Sequence, residues 1–319
     1  MLGAMEITSD LSAGGEGVFH HRSANPFEFF HILTEGDSLE EQTVFGTLLL
    51  PEKPASEPMP VIVACHGSLD WRPHHQEYIA RFLEQGIAVW RVHSFEPRGV
   101  TSIVEDQMQV TMAMLLCDAF GALRLLQSHP QIDGERVGVT GWSLGGSVAL
   151  YSAWEPLAEA LAPGGERFAA HLPIYPAAHI VPLEKSWSKA PIRNLIGADD
   201  DYTPAHFVED FVADLAPRGV NIDAVIYPDA HHSYDSIEPV EYLPGAVTAG
   251  HRTIQMEADG TMWVEGRDGV RFPMHQPEHR QQAIRNRKSL GGHIGRNWAA
   301  RRQSFADAEA FFAEHLLDA

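Results

Sequence analysis

The chain has 319 residues, 44% of them hydrophobic, and carries 43 acidic against 23 basic side chains, a formal charge of −20. That is enough material for a sizeable core, and the charge excludes nucleic acid and anionic membrane as expected partners. No apolar run approaches the roughly 20 residues of a membrane span, and no basic-then-apolar start marks a secretory leader. The two cysteines, Cys65 and Cys117, read as reduced buried thiols, so a cytoplasmic protein is expected.

Residues 1–25 are polar and Gly-rich and read as a loose N-terminal segment. Residues 43–50 form a strand candidate closed by Pro51, and three prolines make 51–59 a surface loop. Residues 61–65 are continuously apolar, as in a strand covered on both faces. Residues 74–85 fit a helix with Tyr78, Ile79, Phe82 and Leu83 on one face and Gly86 as its stop. A strand over 87–92 follows, then a long helical pattern over 104–127, ended by Ser128-His129-Pro130. Residues 136–140, 169–175, 192–196 and 222–227 are further strands. Pro204 opens a helix over 204–215, and 304–317 is an amphipathic helix with Ser304 as N-cap and Asp307 three residues on. Strands alternating with helices imply a single α/β domain over 1–319 with a doubly wound, mostly parallel sheet.

Residues 236–300 break that rhythm. Short apolar stretches at 253–257, 261–265 and 270–272 flank Asp259-Gly260 and Asp268-Gly269, which signal tight hairpins. The expectation is an insert holding a small β-meander and then a basic stretch (Arg280, Arg285, Arg287, Lys288) on a solvated face.

The chemistry concentrates at Gly141-Trp142-Ser143-Leu144-Gly145-Gly146. A β-branched run stops at a glycine, a serine follows, and a helix-compatible run begins at Ser147. This is the G-x-S-x-G elbow in strand–turn–helix context. The glycines are needed because a Cβ at Gly141 or Gly145 would collide with strand or helix.

A serine hydroxyl needs a base to take its proton, and the base needs a group to orient it. On a sheet of this kind the chain order is serine, acid, histidine. Asp199-Asp200-Asp201 follows the strand at 192–196, and His231-His232 follows the strand at 222–227. Asp200 is favoured as the acid, with Asp199 and Asp201 as alternatives. His232, which precedes Ser233-Tyr234, is favoured over His231. Leu144 and Ser68 are the expected backbone donors to an oxyanion, Gly67 permitting the turn after the strand at 61–65, with His66 a structural loop residue.

Arg98 could bind a substrate carboxylate bidentately, or pair with the chain's own Glu96 or Asp106. Trp71, Trp142 and Trp187 could line a pocket or pack in the core. The chain has 18 histidines, but adjacent ones such as 20–21, 74–75 and 231–232 point apart and are poor chelators. No H-E-x-x-H, Cys-x-x-Cys or phosphate loop appears, so neither a metal nor a cofactor is expected.

The blocks His66-Gly67-Ser68, His93 through Val100 with Arg98, Gly141 through Gly146, Gly197 through Asp200 with Thr203-Pro204, and Tyr227 through Tyr234 resemble the dienelactone hydrolase family of α/β-hydrolases. The resemblance covers roughly residues 40–240 and the last helix. It implies an α/β-hydrolase fold with the insert placed before the C-terminal helix. The namesake enzymes carry a cysteine nucleophile where this chain has Ser143, so the chain resembles the serine-bearing, esterase-like members. The expected activity is cleavage of a small carboxylic ester or lactone through an acyl-enzyme on Ser143. A peptidase or amidase is the alternative on the same residues, and a non-catalytic binding protein a more distant one; a homodimer is allowed.

Overall fold

The computed structural model describes residues 7–52, 57–250, 252–265, 268–286 and 290–318. In chain order, the first strands are β1 (Gly17–Ala24), β2 (Glu41–Leu49), β3 (Met59–Cys65), β4 (Ala88–His93) and β5 (Ile132–Trp142). Then come β6 (Ala170–Ile174), a short β7 (Ile180–Pro182), β8 (Ile192–Gly197) and β9 (Ile222–Tyr227). Eight of these make one sheet in the order β1-β2-β4-β3-β5-β6-β8-β9. The run from β4 to β9 is parallel, and β1 and β2 add an antiparallel edge. β3 is buried at every position, as its unbroken apolar run requires in a sheet covered on both faces.

The helices are α1 (Phe29–Glu35), α2 (Pro73–Glu84), α3 (Met112–Leu126), α4 (Leu144–Tyr151), α5 (Glu155–Leu161) and α6 (Ala205–Leu215), then α7 (Pro277–Asn286) and α8 (Trp298–Phe312). α2 packs against α8, and α3 against α4 and α5. Tyr78 of α2 and Ser304 of α8 share a buried hydrogen bond of 2.7 Å.

Three expected boundaries move, each for a local reason. The edge strand β1 occupies residues 17–24 of the segment expected to be loose, because its backbone pairs along its whole length with β2. The long helix starts at Met112 rather than near 104, where Thr111 is extended and its hydroxyl caps Met114 N–H. The last helix begins at Trp298, capped by the Asn297 side chain on two N–H groups. Ser304 is buried inside it and its hydroxyl turns to Tyr78 instead.

The insert holds more than the expected meander. β10 (Glu241–Val247) pairs with β14 (Leu290–Ile294), and β11 (Ile254–Met256) runs parallel to β7. β12 (Trp263–Glu265) and β13 (Arg271–Pro273) form a hairpin across Asp268-Gly269. The turn at Asp259-Gly260 also follows the expected pattern: Met256 bridges Met262 in antiparallel fashion, and Glu257 N–H donates to Thr261 O at 2.9 Å. The β10–β14 and β7–β11 pairs instead join distant segments. Arg280 of the basic stretch is tied to Glu28 at 2.8 Å rather than solvated. Arg285 is exposed, and Arg287 and Lys288 lie outside the described residues.

The register aligns the carboxyl ends of the central strands: Cys65 beside Gly141, Trp142 beside Ile174 and Gly197 beside Tyr227. In an open sheet of this topology the crevice beyond those ends is where a ligand is held. The loops that leave them carry Ser68, Ser143, Asp200 and His232.

Candidate active site

Ser143 stands between β5 and α4 with φ 56° and ψ −113°, a conformation that a non-glycine residue occupies at a cost of order 1–3 kcal/mol. The surroundings enforce it. Ser143 N–H donates to the Ile174 carbonyl at 2.9 Å. A Cβ at Gly141 would lie 2.3 Å from Gly145 O, one at Gly145 would lie 2.1 Å from Cys65 O, and one at Gly146 would lie 2.4 Å from Ile174 O. All three neighbours are backbone, which cannot yield as a side chain can. The elbow glycines are therefore required by packing, as the sequence pattern predicts.

His232 Nε2 lies 2.8 Å from Ser143 Oγ, and His232 Nδ1 lies 2.8 Å from Asp200 Oδ2. Asp200 is buried, and its other oxygen accepts from Tyr202 N–H at 2.9 Å and Thr203 N–H at 2.7 Å. These backbone donors hold the carboxylate in place. Of the three adjacent aspartates, only Asp200 meets His232. Asp199 N–H binds Ala230 O, and Asp201 turns outward to His293. His231 likewise leaves the site, its Nδ1 lying 2.8 Å from Asp199 O.

Three further residues touch the Asp200–His232 pair, and none was read from the sequence as part of it. Thr203 Oγ1 lies 3.0 Å from Asp200 Oδ2, 3.0 Å from His232 Nδ1 and 3.1 Å from Tyr175 O. Its place three residues after Asp200, before Pro204, is the only sequence signal for it. Tyr202 stacks on the imidazole at 4.6 Å with planes 13° apart. Tyr175 meets the same ring edge-on at 4.7 Å.

Leu144 is the first residue of α4, in the turn whose N–H groups have no partner within a helix. Ser68 sits on the loop after β3 and lines the site with Ser143. His66 holds that loop. It accepts from Ser94 N–H at Nε2 (3.3 Å), so its Nδ1–H donates to Gly67 O at 2.9 Å. Burial, its largest influence, keeps this imidazole below its ordinary pKa and hence neutral. His66 is thus the structural loop residue expected.

Two cavities meet at Ser143 and share Ser68 and Tyr202. The first, of about 130 Å³, contains His232 and Trp142 and is rimmed by Asp70, Arg72, Glu77, Glu238 and Glu241. The second, of about 100 Å³, contains Leu144 and has a mixed wall: Met112, Ile180, Met262 and Met274 are apolar, and Glu28, Gln107 and Arg280 are polar. Both draw part of their lining from the insert.

The other expected pocket residues divide. Trp142 lines the first cavity while stacking on His75 at 4.3 Å. Trp71 lines neither cavity; its Nε1–H donates to Val92 O at 3.1 Å and Arg91 covers its ring at 4.7 Å. Trp187 packs edge-on against Phe211, away from the serine. Arg98 also lines neither cavity. It forks onto Asp118 at 2.8 and 3.0 Å, and its remaining N–H groups donate to Asn25, Ser94 O and Ala24 O. With every donor engaged, Arg98 has none left for a substrate carboxylate, and its partner is Asp118 rather than Glu96 or Asp106.

A parallel sheet with a serine on a strained elbow, followed in chain order by a paired acid and histidine, defines an α/β-hydrolase. The chain belongs to the dienelactone hydrolase family, whose profile matches residues 46–253, and it is a carboxylic ester hydrolase. No curated protein matches it. Among solved structures it is similar to a candidate dienelactone hydrolase from Klebsiella pneumoniae subsp. pneumoniae, at 16% identity and TM-score 0.52, over 93% of this chain and 99% of that one. It is also similar to a dienelactone hydrolase-like promiscuous phosphotriesterase from metagenomic libraries, at 15% identity and TM-score 0.52, over 94% and 99%. At these identities the likeness is one of fold. Among the described residues, no helix is long and apolar enough to cross a membrane.

Proposed function

We propose that Ser143, His232 and Asp200 form the catalytic triad of this ester hydrolase, with Leu144 and Ser68 N–H groups as the oxyanion donors. The observation that carries this reading is the continuous chain of 2.8 Å contacts from Ser143 Oγ through the imidazole to Asp200. His232 takes the hydroxyl proton as Ser143 attacks the ester carbonyl. Asp200 holds the imidazole's orientation and offsets its charge while it is protonated. The tetrahedral oxygen is stabilised by the two backbone donors. His232 then returns the proton to the departing alcohol, and water activated by the same base cleaves the acyl-enzyme.

The cavities give this reading a direction. The departing alcohol must lie within reach of His232 to receive a proton, which favours the first cavity. The acyl chain then continues past Leu144 into the second. The methionines and Ile180 of the second cavity offer an acyl chain apolar contact, and the mainly acidic rim of the first disfavours an anionic alcohol. Two buried unpaired cysteines, Cys65 and Cys117, support a reducing, cytoplasmic setting.

The decisive experiment is Ser143→Ala, scored by short-chain p-nitrophenyl ester turnover and fluorophosphonate labelling. Both should vanish with the fold intact; survival of either overturns the assignment of the nucleophile.

A further inference from the structure

We propose that Asp201, His231 and His293 form a binding site for a zinc-like divalent cation, beside the serine centre and independent of its chemistry. The three residues come from three parts of the chain. Asp201 follows Asp200 on the acid loop, His231 precedes His232 on the histidine loop, and His293 lies on β14 of the insert. The fold brings one ligand atom from each to within 4.8 Å of the other two.

The hydrogen bonding around the cluster suits metal binding. His231 Nδ1 lies 2.8 Å from Asp199 O, which can only accept. Nδ1 is therefore the protonated nitrogen, and Nε2 keeps a free lone pair. An outer-shell carbonyl on one imidazole nitrogen is the usual arrangement behind a metal-bound histidine. Asp201 is also pre-positioned: Oδ1 accepts from His293 N–H at 2.7 Å, and Oδ2 lies 2.7 Å from His293 Nδ1. The Asp201 and His293 side chains are 42% and 41% exposed, so they can adjust and water can complete the coordination.

Two imidazoles and a carboxylate form a donor set for zinc. Bonds of about 2.0–2.2 Å to a tetrahedral ion place the ligand atoms roughly 3.3–3.5 Å apart. Reaching that spacing takes side-chain movements of about an ångström. Magnesium and calcium prefer all-oxygen shells and should not compete. His231 and His232 turn to different partners and do not share an ion; His231 finds its partners elsewhere in the fold. A bound ion would join the acid loop, the histidine loop and β14, and would stabilise the native state by mass action.

The test is calorimetric titration of the full chain with Zn²⁺, paired with thermal unfolding. One equivalent should bind and raise the unfolding temperature, whereas Mg²⁺ and Ca²⁺ should do neither. His231→Gln and His293→Gln should each weaken Zn²⁺ binding by more than the roughly 10–100-fold typical of losing an outer-shell partner. Absence of stoichiometric binding overturns the proposal. So does binding that either folded variant leaves unchanged, since other histidines would then hold the ion. If a variant does not fold, Co²⁺ decides on the wild-type chain: an intense tetrahedral visible spectrum, displaced by Zn²⁺, supports the site, and its absence overturns it.

Discussion

Thr203 Oγ1 stands 3.0 Å from His232 Nδ1, the same imidazole nitrogen that Asp200 holds at 2.8 Å. The threonine also touches Asp200 Oδ2 and the Tyr175 carbonyl. It therefore touches both the proposed base and the proposed acid, and its proposed role is to position them, not to react.

Thr203→Val keeps the shape of this side chain and removes its hydroxyl. A neutral hydrogen bond contributes about 0.5–1.5 kcal/mol, so kcat for a neutral ester should fall roughly 2- to 13-fold with little change in KM. Thr203→Ser should recover most of the loss. Steady-state kinetics on the two variants checks this; a change confined to KM would count against a positioning role.

Arg98 should matter to stability and not to substrate choice. Its bidentate pair with Asp118 is almost wholly buried, at 6% and 0% side-chain exposure. Removing one partner strands the other charge inside the protein, at a cost of about 3–5 kcal/mol. Arg98→Ala should lower the urea midpoint by a corresponding amount. The turnover ratio of carboxylate-bearing to neutral esters should stay constant; a selective loss of the carboxylate-bearing esters would restore Arg98 as an anchor.

Acid should weaken the fold through its buried imidazoles. Burial, opposed by the hydrogen bond to the Ala149 carbonyl, brings His171 from 6.5 down to about 4. Its folded value lies below its unfolded one, so the unfolded chain binds the proton more readily. The stability due to the neutral ring is complete above pH 6.5 and is lost as pH falls from there toward 4. A shift of this size corresponds to roughly 3 kcal/mol. Urea midpoints measured across that window should drop in the wild type and drop less steeply in His171→Gln.

The elbow was legible because its glycines fall in one short run after a β-branched strand. Gly141 abuts the Gly145 carbonyl within the turn, while Gly145 and Gly146 abut Cys65 O and Ile174 O of the adjacent strands. Asp200 and His232 were legible as candidates because each follows a parallel strand whose end the sheet aligns with the elbow. What escaped depended on distant partners. Nothing near Arg98 announces Asp118, and nothing in residues 290–294 announces a strand paired with residues 241–247. Ser304 fits the pattern of a helix cap, yet Asn297 seven residues earlier takes that place and Tyr78 claims the serine hydroxyl. His293 was invisible as a partner of Asp201 because the insert's docking position is a tertiary fact.

That docking reaches the proposed base. The Gly295 N–H donates to the carbonyl of His232 at 2.8 Å, and Ile294 bridges to the same residue. The segment that lines the first cavity is thus also the backbone support of His232. If His232 carries the proton as proposed, remodelling the entrance at 294–295 should alter turnover together with substrate breadth.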